Sequence, residues 1–251
     1  MAHEPTIIAL IPARANSRRI PGKNIRPLAG HPLLGYTIAA AKESGIFQDI
    51  LVSTDSMDYF KIAQSYGASS WMRLPEHALD TSPDFEWIEW IMRRIIWEGG
   101  RDCFAILRPT SPFRTADTIK RAWQHFLDNQ PCDSLRAVEP VKEHPEKMWR
   151  WGQKRHYLVS HVANSQGYCL ERIQGQPPHS VPSQLLPEWF IQNASLEIAW
   201  TRVLTEHHNI SGDLVVPFFT EGYEGLDINS PDDWVLAEAL LERGLVKLPA
   251  L

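Results

Sequence analysis

Two nucleotide-binding fingerprints are missing from this chain of 251 residues: it has no G-x-G-x-x-G and no G-x-x-x-x-G-K-[ST]. Their absence argues against a dinucleotide oxidoreductase and a P-loop NTPase, which use those glycines to bring backbone N–H groups against phosphate. Cysteine is scarce as well. Cys103, Cys132 and Cys169 are widely spaced and odd in number, which excludes a disulfide framework and a CxxC metal site and leaves reduced, structural thiols. No run of about 18 uncharged apolar residues occurs, and the opening MAHEPTIIALIPAR lacks a basic stretch followed by a long apolar one, so neither a membrane span nor secretion is expected. Nor is there an excess of positive charge. With 25 Lys and Arg against 30 Asp and Glu the net charge is −5, which argues against a protein that coats nucleic acid or an anionic membrane. A soluble, cytoplasmic protein is expected, and any positive charge that meets phosphate must be local.

What the chain does have is enough apolar material, 43% of its residues, to bury a full core. Its first half alternates short β-branched runs with amphipathic helical patterns, the signature of βαβ units and a largely parallel sheet. Ile7 to Ile11 reads as a buried first strand. Pro32 to Ser44 is a helix, with Pro at its start and Gly45 past its end. Ile50 to Ser53 is a second strand, and a short helix runs from Met57 and closes at Gly67. Ser82 and Pro83 open a long helix whose Trp87, Ile88, Ile91, Met92 and Ile95 share one face, with Gly99 and Gly100 as its stop. Cys103 to Leu107 is again a strand, and Thr115 to Asp128 a helix. From about 139 to 190 helical periodicity gives way to Pro, His, Trp and Gln, which reads as an irregular insertion with short strands, a place for specificity or subunit contact. Ser195 to Leu204 and Leu214 to Phe219 then read as strands, and Ser230-Pro231-Asp232-Asp233 as the capped, acidic start of a last helix.

Chemistry concentrates at the end of the first strand. Residues 12 to 24, PARANSRRIPGKN, carry four cations, small polar residues and Pro and Gly breaks. In open α/β sheets nucleotides bind at the carboxyl ends of strands, and backbone N–H groups with Arg14 and Lys23 suit a triphosphate. Composition alone also admits a merely solvated basic loop. Thr110-Ser111-Pro112 reads equally as ligand contact or as a turn closing a strand. Asp227 reads as an oxygen ligand for Mg²⁺ or as a turn cap, while Asp232 and Asp233 read as helix N-terminal charges.

The stretch IPARANSRRIPGKNIRPLAGHPLLGYTI, followed in order by VSTD at 52–55, LDTSPD at 79–84, LRPTSPFRT at 107–115 and LDINSPDD at 226–233, resembles the acylneuraminate cytidylyltransferases, the CMP-sialic acid synthetases. Asn24 after Lys23 leans to the sialic, legionaminic and pseudaminic branch rather than to the Kdo enzymes, where Pro is typical. The resemblance implies one α/β domain over residues 1–251, a Rossmann-like, mostly parallel sheet flanked by helices of nucleotide-diphospho-sugar transferase type, with the insertion near 139–190 serving dimerisation and acceptor binding. It implies transfer of CMP from CTP to an acidic sugar with Mg²⁺, by a homodimer. Arg14 and Lys23 would be catalytic, and Asn24, Ser82, Arg108, Thr110 and Ser111 would bind nucleotide. Arg114, His144, Gln192 and Asn193 would meet the acceptor, and Asp227 and Asn229 the metal. Four departures stand out: Arg108 where the family has Gln, no arginine near Ser183-Gln184 where it has a Pro-Arg-Gln segment, Ala194 where it has Gly, and Asn229 where it has a second Asp, which removes one negative charge at the metal. Other acceptors, or a homologue that binds nucleotide without turnover, are the rival readings.

Overall fold

A seven-stranded sheet frames the chain, seen in a computed structural model that describes residues 4–15, 17–97, 100–151, 158–160 and 178–251. In chain order the strands are β1 Ile7–Pro12, the short pair β2 Pro27–Leu28 and β3 His31–Pro32, β4 Asp49–Thr54, β5 Ser69–Met72, β6 Cys103–Ile106, β7 Ser134–Pro140, β8 Trp149–Trp151, β9 Leu158–Ser160, β10 Phe190–Trp200 and β11 Val215–Phe219. The helices are α1 Leu33–Ser44, α2 Met57–Ser65, α3 Asp84–Trp97, α4 Ala116–Asp128, α5 Arg202–Glu206 and α6 Pro231–Glu242. The large sheet runs β11-β7-β10-β6-β1-β4-β5. β4 and β6 pair in parallel with β1, β5 with β4 and β11 with β7, whereas β10 runs antiparallel to β6.

Successive side chains of β1 point to opposite faces, so the strand feeds two cores. Ile7, Ala9 and Ile11 pack with Leu34 and Ile38 of α1, Tyr59 and Ala63 of α2, and Ile119, Trp123 and Phe126 of α4. Ile8 and Leu10 face Trp87, Ile88, Ile91, Met92 and Ile95, the single apolar face read in α3. Full burial of such side chains is worth about 1.5–3 kcal/mol each, which is why a strand with no polar residue before Pro12 takes the middle of the sheet. A third cluster joins Ile20, Leu28, Tyr36 and Phe113 to Ile228 and to Trp234, Ala237 and Leu240 of α6. It brings the segment after β1 and the segment before α6 together, though they are some two hundred residues apart in sequence.

Two strands of the large sheet are absent from the sequence reading. β5 is four residues, Ser-Ser-Trp-Met, on the sheet edge, and β7 carries a buried Arg136 in mid-strand, so neither shows clean alternation. Arg136 is tolerated there because it pairs with Glu197 of β10 at 2.5 Å. The strand expected over Ser195 to Leu204 instead begins at Phe190 and ends at Trp200, where Thr201 turns the chain into α5 and Val203 and Leu204 fill the α3-side core. The chain divides into two compact units, Met1–Val138 with Gln192–Leu251, and Glu139–Ile191. Within the second unit β8 and β9 pair antiparallel and short 3₁₀ turns occupy Pro145–Lys147, Pro178–Ser180 and Ser183–Leu185. Cys169 lies outside the described residues.

Candidate functional site

The chain leaves β1 towards β4 and β5 on one side and returns to β6 on the other, which makes the gap beyond the carboxyl ends of β1 and β6 the topological switch point. A cleft of about 790 Å³ opens there. The loop after β1 forms one wall and is held at several points along its backbone. Ala13 N–H donates to Ser53 O at 2.9 Å, and Ala15 N–H to the Asp55 carboxylate at 2.7 Å. Gly22, at φ 65°, turns the chain into the 3₁₀ turn Lys23–Ile25, a left-handed bend that a side chain would strain. Asn24 is 5% exposed and its Nδ2 donates to Arg14 O at 3.2 Å, so this residue ties the two functional ends of the loop together.

Four cations of the loop, Arg14, Arg18, Arg19 and Lys23, all line the cleft. Lys23 Nζ donates to Ile228 O at 2.6 Å and to Asn229 Oδ1 at 3.3 Å, and Arg19 donates to the same Asn229 oxygen at 3.2 Å. Burial pulls the Lys23 ammonium below its ordinary pKa, with Arg19 and Arg14 adding to the fall and Asp227 and Asp233 opposing it. Asp227 also lines the cleft; its Oδ2 accepts from Asn229 Nδ2, while its Oδ1 is buried without a hydrogen-bond partner. This stretch is fixed from both sides. Ile228 N–H reaches Thr110 O at 2.8 Å, and the Asp233 carboxylate in the α6 capping box accepts from Asn229 N–H at 2.9 Å and Ser230 N–H at 2.7 Å. Asp233 thus serves as the helix N-terminal charge read in the sequence. Burial would raise its pKa, but these backbone donors and the Ser230 hydroxyl hold it low.

Arg73, Ser82, Asp84, Arg108 and Thr110 also line the cleft. Arg108 donates to Asp84 at 2.6 Å and to Glu197 at 3.0 Å, and Glu197 in turn pairs with Arg136. Burial opposes charge on Arg108, yet the two carboxylates hold its pKa above the ordinary arginine value. Asp84 is likewise opposed by burial but kept low by Arg108 and by Trp87 Nε1–H at 2.8 Å. Arg73 lies over the Trp87 ring at 4.5 Å and donates to Ser53 Oγ at 3.1 Å; burial pushes it down to about 10.

Arg14, Lys23, Asn24, Ser82, Arg108, Thr110, Asp227 and Asn229 therefore converge on one cleft. Five other expected residues have different surroundings. Ser111 and Arg114 are each 1% exposed and lie outside the cleft lining. Arg114 Nη1 donates to Ser195 O and Arg108 O and Nη2 to Thr37 Oγ1, so the side chain clamps the turn after β6 to β10. Gln192 and Asn193 are not in the lining either. Asn193 bonds Thr220 Oγ1 at 2.9 Å and Ser195 N–H at 3.1 Å, and Ala194 is the β10 residue that reaches the cleft. His144 belongs to the unit Glu139–Ile191, where its Nε2 lies 2.9 Å from Pro187 O. Arg73, Asp80 and Asp84 were not singled out in the sequence. Recognising β5 would have exposed Arg73, which directly follows that strand's carboxyl end.

The sequence profile of the family described as cytidylyltransferase matches residues 8–148, more than half of the chain. The chain belongs to the cytidylyltransferase family. The match includes Arg14, Lys23, Ser82 and Arg108, while Asp227 and Asn229 lie beyond it. This cytidylyltransferase is 32% identical over 240 residues to the CMP-N,N'-diacetyllegionaminic acid synthase of Legionella pneumophila, covering 94% of this chain and 96% of that protein. It is 43% identical over 128 residues to an N-acylneuraminate cytidylyltransferase of Escherichia coli (50% of this chain, 30% of that protein), and 43% identical over 235 residues to N-acylneuraminate cytidylyltransferase A of Danio rerio (92% and 50%). The chain thus spans nearly all of the first relative and half or less of the other two. Among solved structures it is similar to a CMP:2-keto-3-deoxy-manno-octonic acid synthetase complexed with CTP, at TM-score 0.68 and 14% identity over 95% of this chain and 99% of that one. A 4-diphosphocytidyl-2C-methyl-D-erythritol synthase from Anaerococcus prevotii follows at 0.61 and 11% identity, with the same coverage of both chains. At such identities these two structures speak for the fold alone, the α/β nucleotidyltransferase fold expected from the sequence.

Proposed function

We propose that this cytidylyltransferase transfers CMP from CTP to the anomeric hydroxyl of an acidic 2-keto-3-deoxy sugar of sialic, legionaminic or pseudaminic type, releasing pyrophosphate. The observation that carries the reading is the contact of Lys23 Nζ with Ile228 O at 2.6 Å and Asn229 Oδ1 at 3.3 Å, which sets the basic loop and the Asp227 carboxylate on one cleft. In the reaction the hydroxyl oxygen bonds to the α-phosphorus, the bond from that phosphorus to the bridging oxygen breaks, its electron pair departs with pyrophosphate, and the hydroxyl proton passes to solvent. Such a transfer needs alignment and neutralisation of oxygen charge more than covalent help. Arg14 and Lys23 would supply it, Asn24 would hold Arg14 in place, and Ser82, Arg108 and Thr110 would line the nucleoside end. No residue is assigned as a base.

Asp227 and Asn229 would hold Mg²⁺. The buried, unpartnered Oδ1 of Asp227 fits a cation, and Asn229 offers a neutral carbonyl oxygen two residues on. Magnesium is commonly held by one or two carboxylates together with substrate phosphates. Bound there, the ion would withdraw charge from the phosphate oxygens. The unit Glu139–Ile191, with exposed Met148, Trp149, Leu185, Trp189 and Ile191, supports self-association as a homodimer, and His144 is proposed for acceptor or subunit contact. No helix among the described residues is long and apolar enough to cross a membrane; the free, buried thiols of Cys103 and Cys132 fit work in the cytoplasm. The test is incubation with each of the four NTPs, Mg²⁺ and a panel of nonulosonic acids, following pyrophosphate and the mass of the product. CMP-sugar formed from CTP alone is expected; no pyrophosphate from any combination would refute the reading.

A further inference from the structure

Asp80 is a carboxylate in the cleft lining that pairs with two arginines of the basic loop. Arg14 lies 3.0 Å from Asp80 Oδ1 and also donates to Leu79 O at 3.0 Å, and Arg18 Nε pairs with Asp80 Oδ2. One carboxylate thereby uses both oxygens on two guanidinium groups, which is the way a phosphate group would use them. Asp80 is not part of the core. Its side chain is 29% exposed, it sits in a turn closed by Ser82 N–H to Leu79 O at 3.2 Å, and it lines the same cleft as Lys23 and Asp227. A phosphate chain that takes the donors Arg14 Nη1 and Arg18 Nε must displace Asp80 from them.

We infer that Asp80 is an internal competitor for the phosphate chain: it yields Arg14 and Arg18 to an arriving triphosphate and reclaims them as pyrophosphate leaves. This rests on the CTP reading above and assigns that site a specificity-determining residue. Ion pairs with a solvent-exposed partner are weak, and Arg18 is 82% exposed. Weakness is what the role requires. A strong pair would shut the triphosphate out, and removing the pair would leave Arg14 and Arg18 to hold the leaving pyrophosphate longer.

The test compares Asp80→Asn and Asp80→Ser with the unaltered full chain, measuring binding of pyrophosphate, CTP and cytidine by calorimetry and their rates by stopped flow. Both variants are expected to bind pyrophosphate and CTP about three- to fivefold tighter, the scale of one such pair. The gain should appear as slower dissociation, cytidine should be unaffected, and pyrophosphate should become a stronger product inhibitor by the same factor. Unchanged or weaker binding of pyrophosphate would mean that Asp80 only aligns the arginines. A gain confined to the association rate would mean a long-range field. Either overturns the inference while leaving the CTP reading intact, because the unaltered chain still binds CTP. Failure of the unaltered chain to bind CTP and pyrophosphate at all would overturn that reading and this inference with it.

Discussion

Replacing Lys23 by Met tests the site most directly, because it removes one charge and keeps most of the side chain's length. In the folded chain Nζ gives hydrogen bonds of 2.6 Å to Ile228 O and 3.3 Å to Asn229 Oδ1, inside surroundings whose burial already lowers its pKa. The fold is therefore working against the ammonium's desolvation, and losing the charge offsets much of what the lost hydrogen bonds contribute; stability should change by no more than about 1 kcal/mol. Function should respond differently. A hydrogen bond to a charged group is worth about 1.5–3 kcal/mol, or roughly ten- to 150-fold, and a donor aimed at charge that develops in the reaction reaches about 10²–10³-fold. Lys23→Met should thus lower kcat/KM for CTP by one to three orders of magnitude with the melting temperature nearly unchanged. The same lysine sets a pH dependence. Its folded pKa lies below the ordinary 10.5, so as pH rises the cleft loses this charge earlier than a free lysine would, and CTP affinity should fall through that window. Stability should move the opposite way, rising there because the unfolded chain binds the extra proton. Lys23→Arg should remove the alkaline loss of affinity. Pyrophosphate release at the unaltered rate from a folded Lys23→Met protein would refute the assignment.

Asn229→Asp restores a second carboxylate beside Asp227, and turnover at limiting Mg²⁺ should rise; equal metal dependence in both proteins, read from pyrophosphate release against Mg²⁺ concentration, would place the metal elsewhere. Glu197→Ala leaves Arg136 and Arg108 without their shared buried partner and should cost about 3–5 kcal/mol in urea unfolding, whereas a cost under about 1 kcal/mol would show that the network is not needed for the fold. Asp84 has a folded pKa held below 3.8, so its contribution to stability is full above that value and is lost as pH falls through the depressed one. Asp84→Asn should flatten that acid limb in melting curves taken from pH 6 to pH 2, and an unchanged limb would count against the Arg108 pairing.

Much of this was local enough to read in the chain. An unbroken apolar run before Pro12 specifies a central strand, the face of Trp87, Ile88, Ile91, Met92 and Ile95 specifies α3, and the cations packed between Pro12 and Asn24 mark the loop that lines the cleft. Each of these is a property of neighbours within one or two turns of chain, where spacing alone decides which side chains share a surface. The rest depended on which strands lie side by side. Arg73 follows an edge strand too short and polar to show a period, Asp80 meets Arg14 only because two loops end at the same rim, and Arg114 looked like a pocket residue until antiparallel β10 closed over it beside β6. Burial and pairing of charged side chains are set by these long-range neighbours, since a guanidinium in a cleft and one in a core have the same sequence signature. Only the packed sheet could separate Arg14, which faces the cleft, from Arg114, which holds its wall together.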